Sequence, residues 1–231
     1  MGEAARRLGL LTVLLAAFAL GCAGMKLGWD GVIPLDFEVA AQPDDGALVR
    51  LALIDDQRVF QKVSHARTTP SIPHALWDDE TIRARVIGRR RENQGGSLLV
   101  PAGEFATTWV ERAMISSLRQ AGRRVETDST DDAPADSDVT VTIRELWAFV
   151  VPSGGTLKFE MRIRLGLDGK LPPFDQGLEV CGRSMRTAGG EAKVVWNSLV
   201  RDAFADLVAK STSRIQRPGG APDLTCTPSH E

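Results

Sequence analysis

Three cysteines, three histidines and the adjacent carboxylates Asp55 and Asp56 are the residues with which this chain of 231 amino acids could do chemistry. The cysteines are Cys22, Cys181 and Cys226; the histidines are His65, His74 and His230. Asp55 and Asp56 close an apolar run, and with His65 or His74 they would make a general-base constellation. Carboxylates at a strand end serve more often as turn residues, so this is the weaker reading. The sequence carries no G-x-S-x-G, no H-E-x-x-H, no P-loop and no paired-cysteine zinc pattern. Residues 128–138 hold five aspartates but lack the spacing and closing glutamate of an EF-hand loop, and read as a polar loop. The expectation is a protein that is not an enzyme, with no catalytic residue, no metal and no cofactor.

Cys22 is the exception to this poverty, because of what precedes it. Arg6 and Arg7 lead into an apolar run over 8–20, and Gly21 stands directly before the cysteine. A basic start, a short apolar stretch and a small residue at the cut describe a secretory signal, too short to span a bilayer as a helix. The sequence Ala19-Leu20-Gly21-Cys22 resembles the bacterial lipobox, with Ala19 where Leu is usual. That resemblance implies a thiol diacylated at Cys22, cleavage just before it, and palmitate among the acyl chains. Two or more chains on one residue meet the two-signal requirement for stable anchoring. Ala23 stands where an Asp would signal inner-membrane retention, so the expected address is the outer membrane, facing the periplasm. In that oxidising compartment Cys181 and Cys226 can pair, the alternative being two separate thiols.

A net charge of −2 excludes a generally basic nucleic-acid binder. The positive charge is nonetheless uneven: Arg83, Arg85, Arg89, Arg90 and Arg91 fall within nine residues. Such a patch suits anionic headgroups or an acidic partner, or it is the solvated face of a strand and its turn. Trp77, like Trp29, lies outside any apolar periodicity and is a candidate for an exposed contact, whereas Trp109, Trp147 and Trp196 fit core positions.

These residues need a scaffold, and periodicity supplies it. After the signal (1–21), residues 22–47 read as a tether, 48–215 as one domain and 216–231 as a flexible tail. Residues 48–54 form an apolar run of strand length, 57–80 a Pro-containing excursion, and 81–88 alternate apolar and basic residues as a half-buried strand does. Residues 104–121 place Phe105, Trp109, Val110, Ala113, Ile115 and Leu118 at helical spacing, with Gly122 as the stop. Val139, Val141, Ile143, Trp147, Phe149 and Val151 are assigned to one face of a strand, with Glu145 at a bulge. Residues 157–167 alternate strictly, 178–187 make a weaker strand, and 191–215 a second amphipathic helix. The predicted fold class is α+β: an antiparallel β-sheet with two amphipathic helices packed on one face.

The order of elements resembles the YajG-like family of bacterial envelope lipoproteins. The likeness rests on the lipobox cysteine, L-A-L-I-D-D-Q-R from Leu51 and R-V-I-G-R-R from Arg85. It continues through the helix reaching Leu118-Arg-Gln-Ala-Gly-Arg-Arg-Val125, Asp138-Val-Thr-Val-Thr-Ile-Arg-Glu-Leu-Trp147 and the closing helix with Val200-Arg-Asp-Ala-Phe-Ala-Asp-Leu207. The ABC-type transport auxiliary lipoproteins share a similar order and are the nearest competitor. The YajG-like resemblance implies an α+β module without assigned enzyme chemistry. The expected function is that of a non-catalytic, lipid-anchored periplasmic adaptor or assembly factor in an envelope complex, with an envelope protein as partner. The alternative is a lipid- or glycolipid-binding component of a transport system.

Overall fold

The computed structural model describes residues 31–36, 38–62, 68–91, 96–127 and 137–218. The chain divides into a leading unit, Met1–Asp30, and a unit Gly31–Glu231 that holds all of these residues. The signal sequence with Cys22, and also Trp29, His65, His230, Cys226 and most of the acidic loop, therefore lie outside the described residues.

The strict alternation of residues 157–167 becomes strand β8 (Thr156–Gly169), hydrogen-bonded antiparallel on one side to β7 (Asp138–Ser153) and on the other to β9 (Leu178–Ala188). The far side of β7 is divided. Strand β1 (Leu48–Asp56) runs parallel to its first half, with β6 (Arg124–Glu126) parallel beyond β1. Strand β4 (Val86–Arg89) pairs parallel with its second half through Gly88 and Ala148, and β5 (Ser97–Leu99) lies antiparallel to β4. The seven-stranded sheet is thus mixed rather than antiparallel. A separate parallel pair joins β2 (Gln61–Lys62) to β3 (Ser71–Ile72).

Among the described residues three α-helices, rather than two, accompany the sheet. The alternation at 81–88 folds as helix α1 (Glu80–Arg85) before β4 begins at Val86. Asp79 decides this: its carboxylate accepts the Ile82 N–H at 3.0 Å, an N-cap that the apolar/basic alternation masks. Helices α2 (Ala106–Gln120) and α3 (Lys193–Gln216) form where helical spacing predicts them. Gly122, with φ of 79°, closes α2 as expected. The Gly122 N–H donates to the Arg119 carbonyl and the Arg123 N–H to the Leu118 carbonyl, the paired bonds of a Schellman motif.

Both long helices start with the same device. Glu104 and Glu191 each precede the N-cap residue, and each accepts the indole N–H of the tryptophan five residues on, Trp109 at 2.5 Å and Trp196 at 3.0 Å. These are the positions that a hydrophobic staple joins, here joined by a charged hydrogen bond at the positive end of the helix dipole. The buried rings then build the core: Trp196 meets Phe159 of β8 edge-on at 4.9 Å, and Trp109 meets Phe204 of α3 at 5.9 Å. At Gly182 the sheet approaches α3 so closely that a Cβ would stand 2.5 Å from the Ala203 carbonyl oxygen. The Asp206 carboxylate accepts the Arg183 N–H at 2.9 Å, so α3 also covers polar backbone of the edge strand β9.

The bulge in β7 falls where Glu145 was expected to need one, but its consequence is larger than a single displaced side chain. The register with β8 shifts between Ile143 and Glu145. Before the shift Val139, Val141 and Ile143 stand opposite Gly169, Leu167 and Leu165, on the face that α2 and α3 cover. After it Leu146, Ala148 and Val150 take that face, and Trp147, Phe149 and Val151 turn to the other, because side chains along a strand alternate with a period of two. The shared face expected for the six residues is therefore split. Trp147 and Phe149 join Ile72 and Val86 in a second core, packed by Phe60, Leu76, Trp77 and Ile82 from the excursion. Apolar layers thus lie on both faces of the sheet.

The folded unit also starts earlier than the strand pattern suggests. Ile33 is fully buried, the Leu99 N–H donates to the Gly31 carbonyl, and Gln42 holds the backbone of Val125 in both directions. Residues 31–36 and 38–47 are thus laid along the domain.

Candidate functional site

Between the end of β1 and the start of β4 no described strand lies on the side of β7 away from β8, and Asp56, Arg58 and Arg83 gather at this fork. Asp56 ends β1; the chain turns at Gln57, whose N–H donates to the Ile143 carbonyl, and Arg58 points into the gap. The Arg58 guanidinium is almost completely buried. Its Nε and Nη2 donate to the two Asp56 oxygens at 2.7 and 2.6 Å, and its Nη1 to the Val86 carbonyl at 2.5 Å. The guanidinium thus satisfies backbone that the missing strand would have paired. It also lies 5.1 Å from the centre of the Phe60 ring, and Phe60 meets Trp147 edge-on at 6.2 Å, so the fork is continuous with the second core.

Outside Arg58 is a cleft of about 270 Å³ lined by Asp56, Arg58, Phe60, Glu80, Arg83 and Ala84. Arg83 is the member of the arginine run that borders it. Its guanidinium lies 5.6 Å from the Trp77 ring centre, and the Lys62 ammonium lies 5.1 Å from the same ring. Trp77 is thus half-buried against the second core and carries two cations on its ring.

The rest of the run does other work. Arg85 donates through Nε and Nη2 to the Val100 carbonyl at 3.3 and 2.9 Å. Arg89 reaches the Ser71 hydroxyl at 3.4 Å. Arg90 is buried in an ion pair with Glu191 at 3.2 Å, and the Arg91 N–H donates to the other oxygen of Glu191 at 3.3 Å. The five arginines therefore divide three ways: Arg83 borders the surface around Trp77, Arg85 and Arg89 bond to Val100 and Ser71, and Arg90 and Arg91 form a structural joint to the start of α3.

The carboxylate–histidine constellation does not assemble among the described residues. Both Asp56 oxygens are taken by Arg58, and Asp55 accepts from its neighbour Gln57 at 2.6 Å. His74 lies exposed in a single turn of 3₁₀-helix, His74–Leu76. No group of three or more His, Cys, Asp or Glu side chains able to hold a metal occurs among the described residues. Cys181 is buried in β9 and disulfide-bonded.

Two charged groups that the sequence reading missed stand elsewhere on the sheet. Glu160 is buried and ion-paired to Arg162 at 2.6 Å and Arg183 at 2.8 Å, with Lys158 at 3.9 Å. It stands in register with Phe149 of the second core and Met185 of β9, whereas alternation along 157–167 marks it only as one more polar residue. Asp138 opens β7 and is gripped by Arg50 of β1 through two bonds of 2.6 and 2.8 Å. The Arg50 hydrogen bonds, and secondarily its charge, hold the Asp138 carboxyl below its ordinary pKa against the opposing effect of burial.

No protein family and no curated protein matches this sequence. Among solved structures, an uncharacterised protein is similar at 9% identity and a TM-score of 0.37, covering 80% of this chain and 99% of its own. A neuraminyllactose-binding hemagglutinin homologue from Helicobacter pylori is similar at 12% identity and a TM-score of 0.33, covering 78% of this chain and 89% of its own. At these values neither likeness bears on the fold or on the site. No described helix is long and apolar enough to cross a membrane.

Proposed function

We propose that this chain is a non-catalytic, lipid-anchored periplasmic lipoprotein that acts as an adaptor or assembly factor in a bacterial envelope complex. The observation that supports this reading is the way the fork is built. Its buried arginine and its carboxylate neutralise each other, which leaves Trp77, Lys62 and Arg83 as an aromatic–cationic surface rather than a reactive one. Aromatic side chains flanked by cations are what protein interfaces use as anchors. The lipobox-like Cys22 supplies the tether, and the resemblance to YajG-like lipoproteins agrees with an α+β module of this kind. The outer membrane is the address that Ala23 favours.

The competing reading, a lipid or glycolipid carrier, requires room between helices and sheet. That layer is occupied by Trp109, Trp196, Phe159 and Phe204 in direct ring contact, which favours the adaptor. A photo-crosslinking residue at position 77 in the full chain, activated in intact cells, separates the two. The adaptor reading expects a discrete protein adduct that weakens when Lys62 and Arg83 are changed to Glu. Adducts to lipid alone, or protein adducts indifferent to those charges, contradict it.

A further inference from the structure

Lys62, Trp77 and Arg83 come from three separate elements, yet every polar group their side chains present is a donor. We propose that this surface is a receptor for an acidic peptide segment, one carboxylate of which sits between the Lys62 and Arg83 head groups while its neighbours enter the cleft outside Arg58. The inference rests on the adaptor reading given above and adds to it the chemistry of the segment that docks.

The placement of the donors carries the argument. Lys62 stands in register with Ile72, which is fully buried in the second core, so β3 fixes where the lysine stem begins. The Arg83 backbone is held from both sides: its N–H donates to the Asp79 carbonyl at 3.0 Å, and its carbonyl accepts from Arg58 Nη2 at 3.4 Å. Trp77 packs on the second core, and its backbone N–H donates to the His74 carbonyl at 3.3 Å. The three side chains, by contrast, meet no acceptor among the described residues. No described carboxylate pairs with the Lys62 ammonium or the Arg83 guanidinium, and no described group takes the Trp77 indole N–H. The Arg83 Nε is buried without an acceptor, which leaves the Nη groups as the part a ligand meets. Cations and an N–H gathered round one exposed ring edge favour an anionic acceptor that covers the ring as it binds.

The surroundings select a peptide over a lipid surface. Binding to anionic headgroups draws on clusters of roughly four to eight Lys and Arg. Here Arg85, Arg89 and Arg90 donate to Val100, Ser71 and Glu191, so Arg83 and Lys62 supply the charge at this surface. The adjoining cleft of about 270 Å³ is also lined by both signs of charge, which suits a segment that offers varied side chains better than a layer of phosphates. Asp56 is neutralised by Arg58, which leaves Glu80 as the carboxylate of that lining with no described partner. Glu80 opposes an acidic segment that enters the cleft, and its removal therefore reports whether one is there.

The full-length protein in non-ionic detergent is titrated with capped hexaglutamate, with capped hexaglutamine, and with phosphatidylglycerol mixed into the micelles. The tryptophan indole N–H signals are followed by NMR, that of Trp77 being assigned with W77F. The expected result is a saturable shift of the Trp77 signal with hexaglutamate alone. Lys62→Glu and Arg83→Gln should each weaken this binding about three- to tenfold, and Glu80→Gln should tighten it about two- to threefold, a gain that a misfolded variant does not produce. No shift at Trp77, an equal shift with hexaglutamine, or an affinity indifferent to these substitutions overturns the proposal. A Trp77 response to phosphatidylglycerol that hexaglutamate does not displace overturns it in favour of a lipid surface. The adaptor reading fails separately. Hexaglutamate binding without a protein adduct at position 77 in cells upholds the site and defeats the adaptor, whereas a protein adduct without hexaglutamate binding defeats the acidic segment alone.

Discussion

Arg90 and Glu191 are 101 residues apart in the chain, yet their side chains form an ion pair at 3.2 Å that is sealed from solvent. The same Glu191 oxygen accepts the Trp196 indole N–H. The pair therefore couples the end of β4 to the first turn of α3, and its partners share one carboxylate. Removing one member of a buried pair leaves the other charge unpaired, at a cost of roughly 3–5 kcal/mol. Glu191→Ala is expected to lose that much in urea unfolding. Arg90→Met with Glu191→Gln should recover most of the loss, because no uncompensated charge remains and Gln can still accept from the indole.

The Arg50–Asp138 pair is partly exposed, so its contribution is smaller, about 0.5–1 kcal/mol after solvent screening. Its pH dependence has a definite sign. The Asp138 pKa is depressed in the folded state, so the stabilisation is present above the unfolded carboxyl pKa and is lost as pH falls through the folded value. Unfolding of wild type and Asp138→Asn should differ at pH 6 and converge in strong acid. A gap that widens on acidification would contradict the assignment.

The second core depends on the shift at Glu145. Trp147→Ala should cost about 3–5 kcal/mol, as for a buried aromatic. Deleting Glu145 should be worse, since restoring simple alternation returns Trp147 and Phe149 to the face that α2 and α3 already fill. Circular dichroism and thermal melts decide both; a deletion variant with native melting would refute the split-face description.

Close approach at Gly182 gives a sharper test of packing. Its added Cβ would meet the Ala203 carbonyl and lie 2.7 Å from the Leu207 Cβ, so α3 must move. Gly182→Ala should destabilise by about 1–3 kcal/mol, whereas Gly189→Ala, with open space around it, should change stability by under about 0.5 kcal/mol.

How much of this could be read beforehand follows from how local each signal is. Strand β8 was legible because Leu157 to Leu167 alternate without interruption, and α2 and α3 because Trp109, Leu118, Trp196 and Leu207 recur at helical spacing and Gly122 marks a stop. The parallel neighbours of β7 were not, since β1 and β4 find it across 87–88 and 60 residues and leave no local pattern. Helix α1 was obscured because six residues of alternating type fit either period, although Asp79 carried the capping signal. The fork was half legible: Asp56 and Arg83 stood out by composition, but Arg58 joined them only once the gap between β1 and β4 existed. The bulge was visible at Glu145, while its reversal of every later side chain required the register with β8.

The central claim is that this domain works as a surface held at a membrane, and Cys22 is where that claim is most exposed. Intact-mass spectrometry of the protein extracted from cell membranes measures it directly. The account predicts a chain beginning at Cys22 with added mass corresponding to a diacylglyceryl group, and a Cys22→Ser variant that lacks the added mass and leaves the membrane fraction. An unacylated mature chain, or a variant that stays membrane-bound with unchanged mass additions, would contradict it.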